Sequence, residues 1–167
     1  PTRLSSDLHV RAIGAATTVN GGADSDTVNV GSLAPAVGGN LNGIAAPLTV
    51  NGDGGSDTLN VDDTSDTDGN TGALSSTQLT GLGMSAGITY GTLEYLNANL
   101  GSGGDIFTIE STHANTTTVE TNAGFDTVRV KTVAGPTNLN TGTGRDTIDV
   151  WNESNTLDHI DATLTIN

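Results

Sequence analysis

Apolar and polar residues alternate along many short stretches of this chain. Segments such as 128–130 (Val-Arg-Val) and 148–150 (Ile-Asp-Val) have a period of two, which is typical of a strand with one buried face. These stretches are rich in Thr and β-branched residues, and Gly and Asn interrupt them before a helix can form. The pattern therefore predicts an all-β protein without helices.

A strand–turn–strand pattern recurs along the chain. An alternating run is followed by a Gly- and Asn-rich turn, an Asp and a second alternating run, and the copies are 17–30, 48–61, 97–109, 117–130 and 137–150. The anchoring aspartates, at spacings of 31, 48, 21 and 20 residues, are Asp26, Asp57, Asp105, Asp126 and Asp146. The basic unit is therefore about 20 residues long, with insertions near 31–47 and 62–95 in a single repeat segment spanning 1–167.

A unit of this length is typical of one coil of a parallel β-solenoid. Coils of such a fold stack about 4.8 Å apart, so equivalent residues form columns along the axis. The sequence predicts a right-handed parallel β-solenoid (a β-roll or β-helix) of about eight coils, with the anchoring aspartates in one column.

A longer repeat overlies the short one. Residues 10–30 align with 130–150 at an offset of 120, and residues 41–51 align with 157–167 at an offset of 116. The chain thus holds about 1.4 copies of a super-repeat of about 120 residues. Because open strand edges extend or aggregate, we expect the natural protein to continue the array on both sides.

Composition narrows the classes of function. Nineteen acidic residues against five basic ones give a net charge of −14, which argues against binding to nucleic acids or anionic membranes. No apolar stretch is long enough to predict membrane insertion, and the lack of Cys excludes disulfides and thiolate metal sites. Leu, Ile, Val and Phe total only 37 residues, a thin core that suits stacked strands.

The turns carry a second pattern. Segments 21–29 (Gly-Gly-Ala-Asp-Ser-Asp-Thr-Val-Asn) and 52–60 (Gly-Asp-Gly-Gly-Ser-Asp-Thr-Leu-Asn) resemble the Gly-Gly-x-Gly-x-Asp-x-apolar-x nonapeptide of RTX-type calcium-binding β-rolls. Segments 101–109, 121–129 and 141–149 resemble it more weakly, and only one turn per coil carries the Asp, whereas RTX rolls repeat the motif in both turns.

This resemblance implies that Ca²⁺ binds in the turns, because carboxylates and backbone carbonyls supply the oxygen ligands that Ca²⁺ prefers. The implied ligands are Asp24, Asp26, Asp53, Asp57, Asp105, Asp126 and Asp146. The alternative is that each Asp accepts backbone N–H bonds within its own turn.

A separate acidic run at 62–70 contains Asp62, Asp63, Asp66 and Asp68. It resembles the Asp-x-Asp-x-Asp-Gly type of calcium loop but lacks the distal Glu of an EF-hand. The run is therefore either a further Ca²⁺ site or a solvated acidic loop.

The expected function is structural rather than enzymatic. The sequence has no Gly-x-Ser-x-Gly motif and no Cys, and its three His residues lack partners at catalytic or metal-binding spacing. We expect a rigid extender or adhesin body in a long secreted or cell-surface protein. Its expected partners are Ca²⁺ and neighbouring repeats, including end-to-end copies. The alternatives are a glycan- or ice-binding face, or a carbohydrate-active β-helix enzyme.

Overall fold

The fold consists of β-strands and their connections. A computed structural model describes residues 6–151, 154 and 156–167. Within this part of the chain, seventeen strands are present and no residue lies in a helix. Over these residues the prediction of an all-β fold without helices is confirmed.

Most of the strands form two large sheets. The seven-stranded sheet is parallel throughout and contains, in spatial order, β1 (Asp7–Val10), β3 (Thr27–Val30), β5 (Thr58–Asp62), β9 (Tyr95–Asn99), β11 (Thr116–Glu120), β14 (Thr137–Asn140) and β17 (Leu164–Ile166). The eight-stranded sheet contains, in spatial order, β2 (Thr17–Gly22), β4 (Leu48–Asp53), β8 (Ile88–Gly91), β7 (Gln78–Gly81), β6 (Thr71–Leu74), β10 (Ile106–Ile109), β13 (Thr127–Val130) and β16 (Thr147–Val150). Two short strands, β12 (Ala123–Gly124) and β15 (Thr143–Gly144), pair separately.

The chain alternates between the two large sheets along most of its length. The exception is the insertion after β5, where β6, β7 and β8 enter the eight-stranded sheet as an antiparallel meander. Before this meander, the turns that carry an anchoring Asp lead from the eight-stranded to the seven-stranded sheet. After it, the corresponding turns lead in the opposite direction. The insertion therefore exchanges the sheets to which equivalent strands belong.

The segments that align at an offset of 120 residues lie in opposite sheets for the same reason. In the seven-stranded sheet β1 pairs with β3 so that Val10 lies opposite Val30. In the eight-stranded sheet β13 pairs with β16 so that Val130 lies opposite Val150. The pairing pattern repeats at the offset of 120 residues, but on the other side of the core.

The core consists mainly of the inward-facing side chains of the strands in the two large sheets. One buried column of the seven-stranded sheet runs in register through Val28, Leu59, Leu96, Thr117 and Thr137. The residues that alternate with them on the strands point the other way. The alternation of apolar and polar side chains thus places the apolar ones in a thin core and the polar ones on the outer face. In the described residues there is no helix of the length and apolarity needed to cross a membrane.

The buried threonine pair in this column leads to a stability prediction. Thr117 Oγ1 is buried and has no hydrogen-bond partner in the described part of the chain, whereas Thr137 Oγ1 donates to the Gly135 carbonyl at 2.9 Å. Thr117→Val should stabilise the fold by about 1 kcal/mol, because it removes a desolvated hydroxyl without changing the shape of the side chain.

The matched control is Thr137→Val, which removes a hydrogen bond that is made. Urea unfolding of both variants measures the free-energy difference. A destabilised Thr117→Val variant would contradict this account of the column.

Candidate functional site

The anchoring aspartates lie in two columns, which corrects the single column expected from their spacing. Asp26 and Asp57 directly precede strands of the seven-stranded sheet, whereas Asp105, Asp126 and Asp146 directly precede strands of the eight-stranded sheet. The physical reason is the meander β6–β8. It occupies one place in the alternation between the sheets, so the later repeats begin on the opposite sheet.

The first acidic column is Asp26, Asp57 and Glu94. The N–H of Asp26 donates to Asp57 Oδ1 at 2.8 Å, and the N–H of Asp57 donates to Glu94 Oε2 at 2.7 Å. Asp26 itself accepts the N–H of Ser6. Glu94 was missed from the sequence because it lies outside the 20-residue spacing. The available signal was its position directly before the alternating run of β9.

The second acidic column is Asp105, Asp126 and Asp146. The N–H of Asn70 donates to Asp105 Oδ1 at 2.8 Å. The N–H of Asp105 donates to Asp126 Oδ1 at 2.8 Å, and the N–H of Asp126 donates to Asp146 Oδ1 at 3.0 Å. Asn70 is the residue directly before β6, the same position that each aspartate has relative to its own strand. In both columns a donor comes from the residue that directly precedes the neighbouring strand. At Asp105 the N–H of Gly101, in its own turn, interacts with the carboxylate as well, as the alternative supposed.

These hydrogen bonds satisfy N–H groups that lie just ahead of the strand ladders. A hydrogen bond to an ionised group contributes about 1.5–3 kcal/mol, more than one between neutral groups. A stack of carboxylates therefore joins adjacent turns, even though the carboxylates repel one another.

Glycine makes room for the carboxylates of the first column. A Cβ added to Gly52 would lie 2.6 Å from Asp57 Oδ2 and 2.1 Å from the Thr92 carbonyl oxygen. A Cβ added to Gly21 would lie 2.9 Å from Asp26 Oδ2. The Gly that precedes each of these aspartates by five residues is thus required by close packing against the carboxylate.

In both columns, the second oxygen of several carboxylates lacks a hydrogen-bond partner among the described residues. The Oδ2 atoms of Asp57, Asp105 and Asp126 are buried and find no hydrogen-bond partner among the described residues. Each of these residues is only 1% exposed. Burial raises the pKa of Asp57, and burial together with repulsion from Asp126 raises the pKa of Asp105. Leaving these buried carboxylate oxygens unpaired is costly to the fold.

Three of the four aspartates in the acidic run at 62–70 are buried, so the interpretation of the run as a solvated loop is wrong for Asp62, Asp63 and Asp66. Asp62 Oδ2 accepts the N–H of Gly39 at 2.7 Å, and Asp63 Oδ1 accepts the N–H of Leu41 at 2.8 Å. Asp66, which is 8% exposed, accepts the N–H of Asp68 at 2.9 Å. Asp68 itself is exposed. The loop is therefore tied to the insertion at 31–47.

Asp63 joins this loop to the second acidic column. It is fully buried, and its Oδ2 has no partner in the described part of the chain. Burial is the main reason that its pKa is raised from 3.8 to about 7; repulsion from Asp66 and Asp105 acts in the same direction, and the Leu41 N–H opposes both. We call Asp62, Asp63, Asp66 and Asp105 the acidic junction.

The remaining two residues suggested as ligands are exposed and are not among the carboxylates that accept hydrogen bonds in the columns. Asp24 is exposed, and Asp53 is an exposed residue with a φ of 70° at the end of β4. The N–H of Asp53 donates to Thr92 Oγ1 at 2.7 Å. Within the described residues, no group of three or more His, Asp or Glu side chains has an arrangement that would hold a metal ion by itself.

No family model, curated protein or solved structure matches this chain. Its function is therefore inferred from the geometry of the columns and the sheets.

Substitution of Asp126 tests the role of the second acidic column. Asp126→Ala removes the acceptor for the Asp105 N–H and should cost about 1–3 kcal/mol, because that buried N–H is left unpaired. Asp126→Asn keeps an oxygen acceptor and removes the buried charge, so it should cost much less when chelator is present. Chemical unfolding measures both.

Asp158→Asn, which changes an exposed Asp, is the control for the charge alone. Equal losses in Asp126→Ala and Asp126→Asn would contradict the hydrogen-bonding role.

Asp63 makes stability depend on pH in an unusual direction. Its pKa is about 7 in the folded chain against 3.8 ordinarily, so the folded state binds more protons than the unfolded state between these values. Stability should therefore be greatest near the lower end of this window and fall as the pH rises through it, by up to about 4 kcal/mol for this group.

Asp63→Asn should make this profile shallower, because the amide does not titrate, while Asp57 and Asp105 still do. Melting temperatures recorded across the window with chelator present measure the effect. A wild-type melting temperature that rises with pH over this range would contradict it.

Proposed function

We propose that this chain is a structural segment of a long extracellular or cell-surface repeat protein and acts as a rigid extender or adhesin body. The proposed architecture is a right-handed parallel β-solenoid. The observation that carries the proposal is the alternation of successive strands between two large, mainly parallel sheets. In such an arrangement each added pair of strands lengthens the stack without changing its cross-section.

The contacts between adjacent strands support rigidity. The seven-stranded sheet keeps one register across its length, so that Leu59 lies opposite Leu96 and Leu96 opposite Thr117. Outer-face amides repeat this register, and Asn60 Nδ2 donates to Asn29 Oδ1 at 2.9 Å. Adjacent strands are thus joined by backbone hydrogen bonds, by apolar contacts in the core, by amide hydrogen bonds on the outer face and by hydrogen bonds to carboxylates in the turns. The proposed role is mechanical rather than enzymatic.

We further propose that Ca²⁺ stabilises the segment at the second acidic column and the acidic junction. The supporting observation is the set of buried carboxylate oxygens without partners at Asp63, Asp105 and Asp126. An unpaired buried charge is costly, and a divalent cation offsets that cost. Each ion would take one or two of these carboxylates, with backbone carbonyls and water completing its coordination. The first column fits less well, because Gly52 is packed tightly against Asp57 Oδ2.

Such binding would couple folding to location. With a net charge of −14, the chain repels itself where Ca²⁺ is scarce, and millimolar Ca²⁺ outside the cell would favour the folded form. The proposed partners besides Ca²⁺ are neighbouring repeats, including a second copy, that pair with the outer strands of the two sheets. Of these, β1 and β2 lie at one end of the sheet orders, and β17 and β16 at the other.

Chelation tests the calcium proposal. The melting temperature followed by circular dichroism should be higher in millimolar CaCl₂ than in EDTA, with a gain of about 2.7 kcal/mol when Ca²⁺ is at about 100 times its Kd. MgCl₂ at the same ionic strength is the control for screening of charge.

Variants localise the effect. Asp105→Asn and Asp63→Asn should reduce the gain from Ca²⁺, whereas the exposed Asp158→Asn should retain it. An unchanged melting temperature on chelation would show that the carboxylates serve only as hydrogen-bond acceptors.

A further inference from the structure

A groove of about 380 Å³ lies on the outer face of the seven-stranded sheet. Its floor is a column of amides, Asn29, Asn60 and Asn97, which are in register on β3, β5 and β9. Asn97 Nδ2 donates to Asn60 Oδ1 at 2.8 Å, and Asn60 Nδ2 donates to Asn29 Oδ1 at 2.9 Å. Thr118 of β11 continues the column. The floor is therefore a regular row of uncharged polar groups.

The wall of the groove is apolar and comes from the insertion at 31–47. Ala34, Pro35 and Val37 line it, and Val37 is 73% exposed. The insertion is held in place on both sides of this wall. Arg11 Nε donates to the Ala34 carbonyl at 2.8 Å, and the N–H of Gly38 donates to Thr64 Oγ1 at 3.0 Å. The groove is thus formed before any ligand arrives.

The amides retain unused hydrogen-bonding capacity. A primary amide has two N–H donors and two carbonyl lone pairs, and the ladder uses one of each at Asn60. One donor and one acceptor therefore remain on the same side chain. This pair matches a vicinal pair of hydroxyls, each of which both donates and accepts. The same presentation is repeated on the next strand, about 4.8 Å away.

Two carboxylates at the edge of the groove have internal partners. Asp62 Oδ2 accepts the N–H of Gly39, Asp62 Oδ1 accepts from the hydroxyl of Thr64, and Glu120 accepts from the amide of Asn140. These hydrogen bonds come from neutral donors and orient the two carboxylates within the fold, and with a net charge of −14 the chain repels an anionic ligand. The remaining groups are amides, a hydroxyl and an apolar wall.

We propose that this groove binds a neutral glycan chain. The amide row pairs with successive sugar hydroxyls, and the wall at Val37 packs against the C–H face of a ring. The repeating floor favours a ligand whose own hydroxyls repeat along its length. None of the three floor amides belongs to an acidic column, although Asp62 at the edge of the groove is a member of the acidic junction.

Binding is tested by isothermal titration calorimetry on the whole chain with four hexasaccharides: cellohexaose, xylohexaose, mannohexaose and hexagalacturonate. At least one neutral hexasaccharide should bind saturably, and the anionic one should not bind. Asn60→Ala should weaken that binding about tenfold, the effect of losing one or two amide hydrogen bonds. Val37→Glu should also weaken it, because it places a charge on the apolar wall.

Asn51→Ala is the matched control. Asn51 Nδ2 donates to Asn20 Oδ1 at 2.8 Å in an equivalent amide pair on the eight-stranded sheet, outside the groove. That variant should bind as the wild type does, and melting curves verify that all three variants are folded. The proposal is overturned if no neutral hexasaccharide binds, or if the Asn60 and Val37 variants bind with wild-type affinity.

Discussion

The hydrogen bond from a backbone N–H to the carboxylate of the neighbouring anchoring residue is the interaction on which the turns of this protein depend. It recurs in both acidic columns, and Asp126 acts as acceptor for Asp105 and as donor to Asp146. Each bond satisfies an N–H just ahead of a strand ladder, where strand pairing has not yet begun. The acidity of the chain is therefore part of its architecture, and the buried oxygens left over are the cost of that arrangement.

The meander β6–β8 has the largest effect on how the surfaces are arranged. It adds strands to one sheet only and so exchanges the sheets occupied by equivalent segments before and after it. Related sequences such as those around Asp26 and Asp146 therefore lie on different sheets. Segments with similar sequences therefore present their outer faces on opposite sides of the core.

The insertion at 31–47 links the acidic junction to the amide groove. Its backbone donates N–H groups to Asp62 and Asp63, and its apolar residues form the wall beside Asn29 and Asn60. One segment thus reduces the cost of two buried carboxylates and shapes the groove next to them. Its place in the fold depends on hydrogen bonds to residues that lie more than 20 positions later in the chain.

Sequence by itself determined the strands of the repeat units, because a period of two with β-branched residues is a local property that specifies which side of each strand is buried. It also identified the anchoring aspartates, since each directly precedes its strand. It did not identify the meander strands β6–β8, which lie in the segment 62–95 that it treated as an insertion. Only the tertiary structure decided which aspartates stack together, because stacking depends on how an insertion is accommodated between distant strands. The places of Glu94 and Asn70 in the columns, and the burial of Asp63, also depend on the tertiary structure. Their partners are brought near by strand pairing, and no spacing along the chain encodes that pairing.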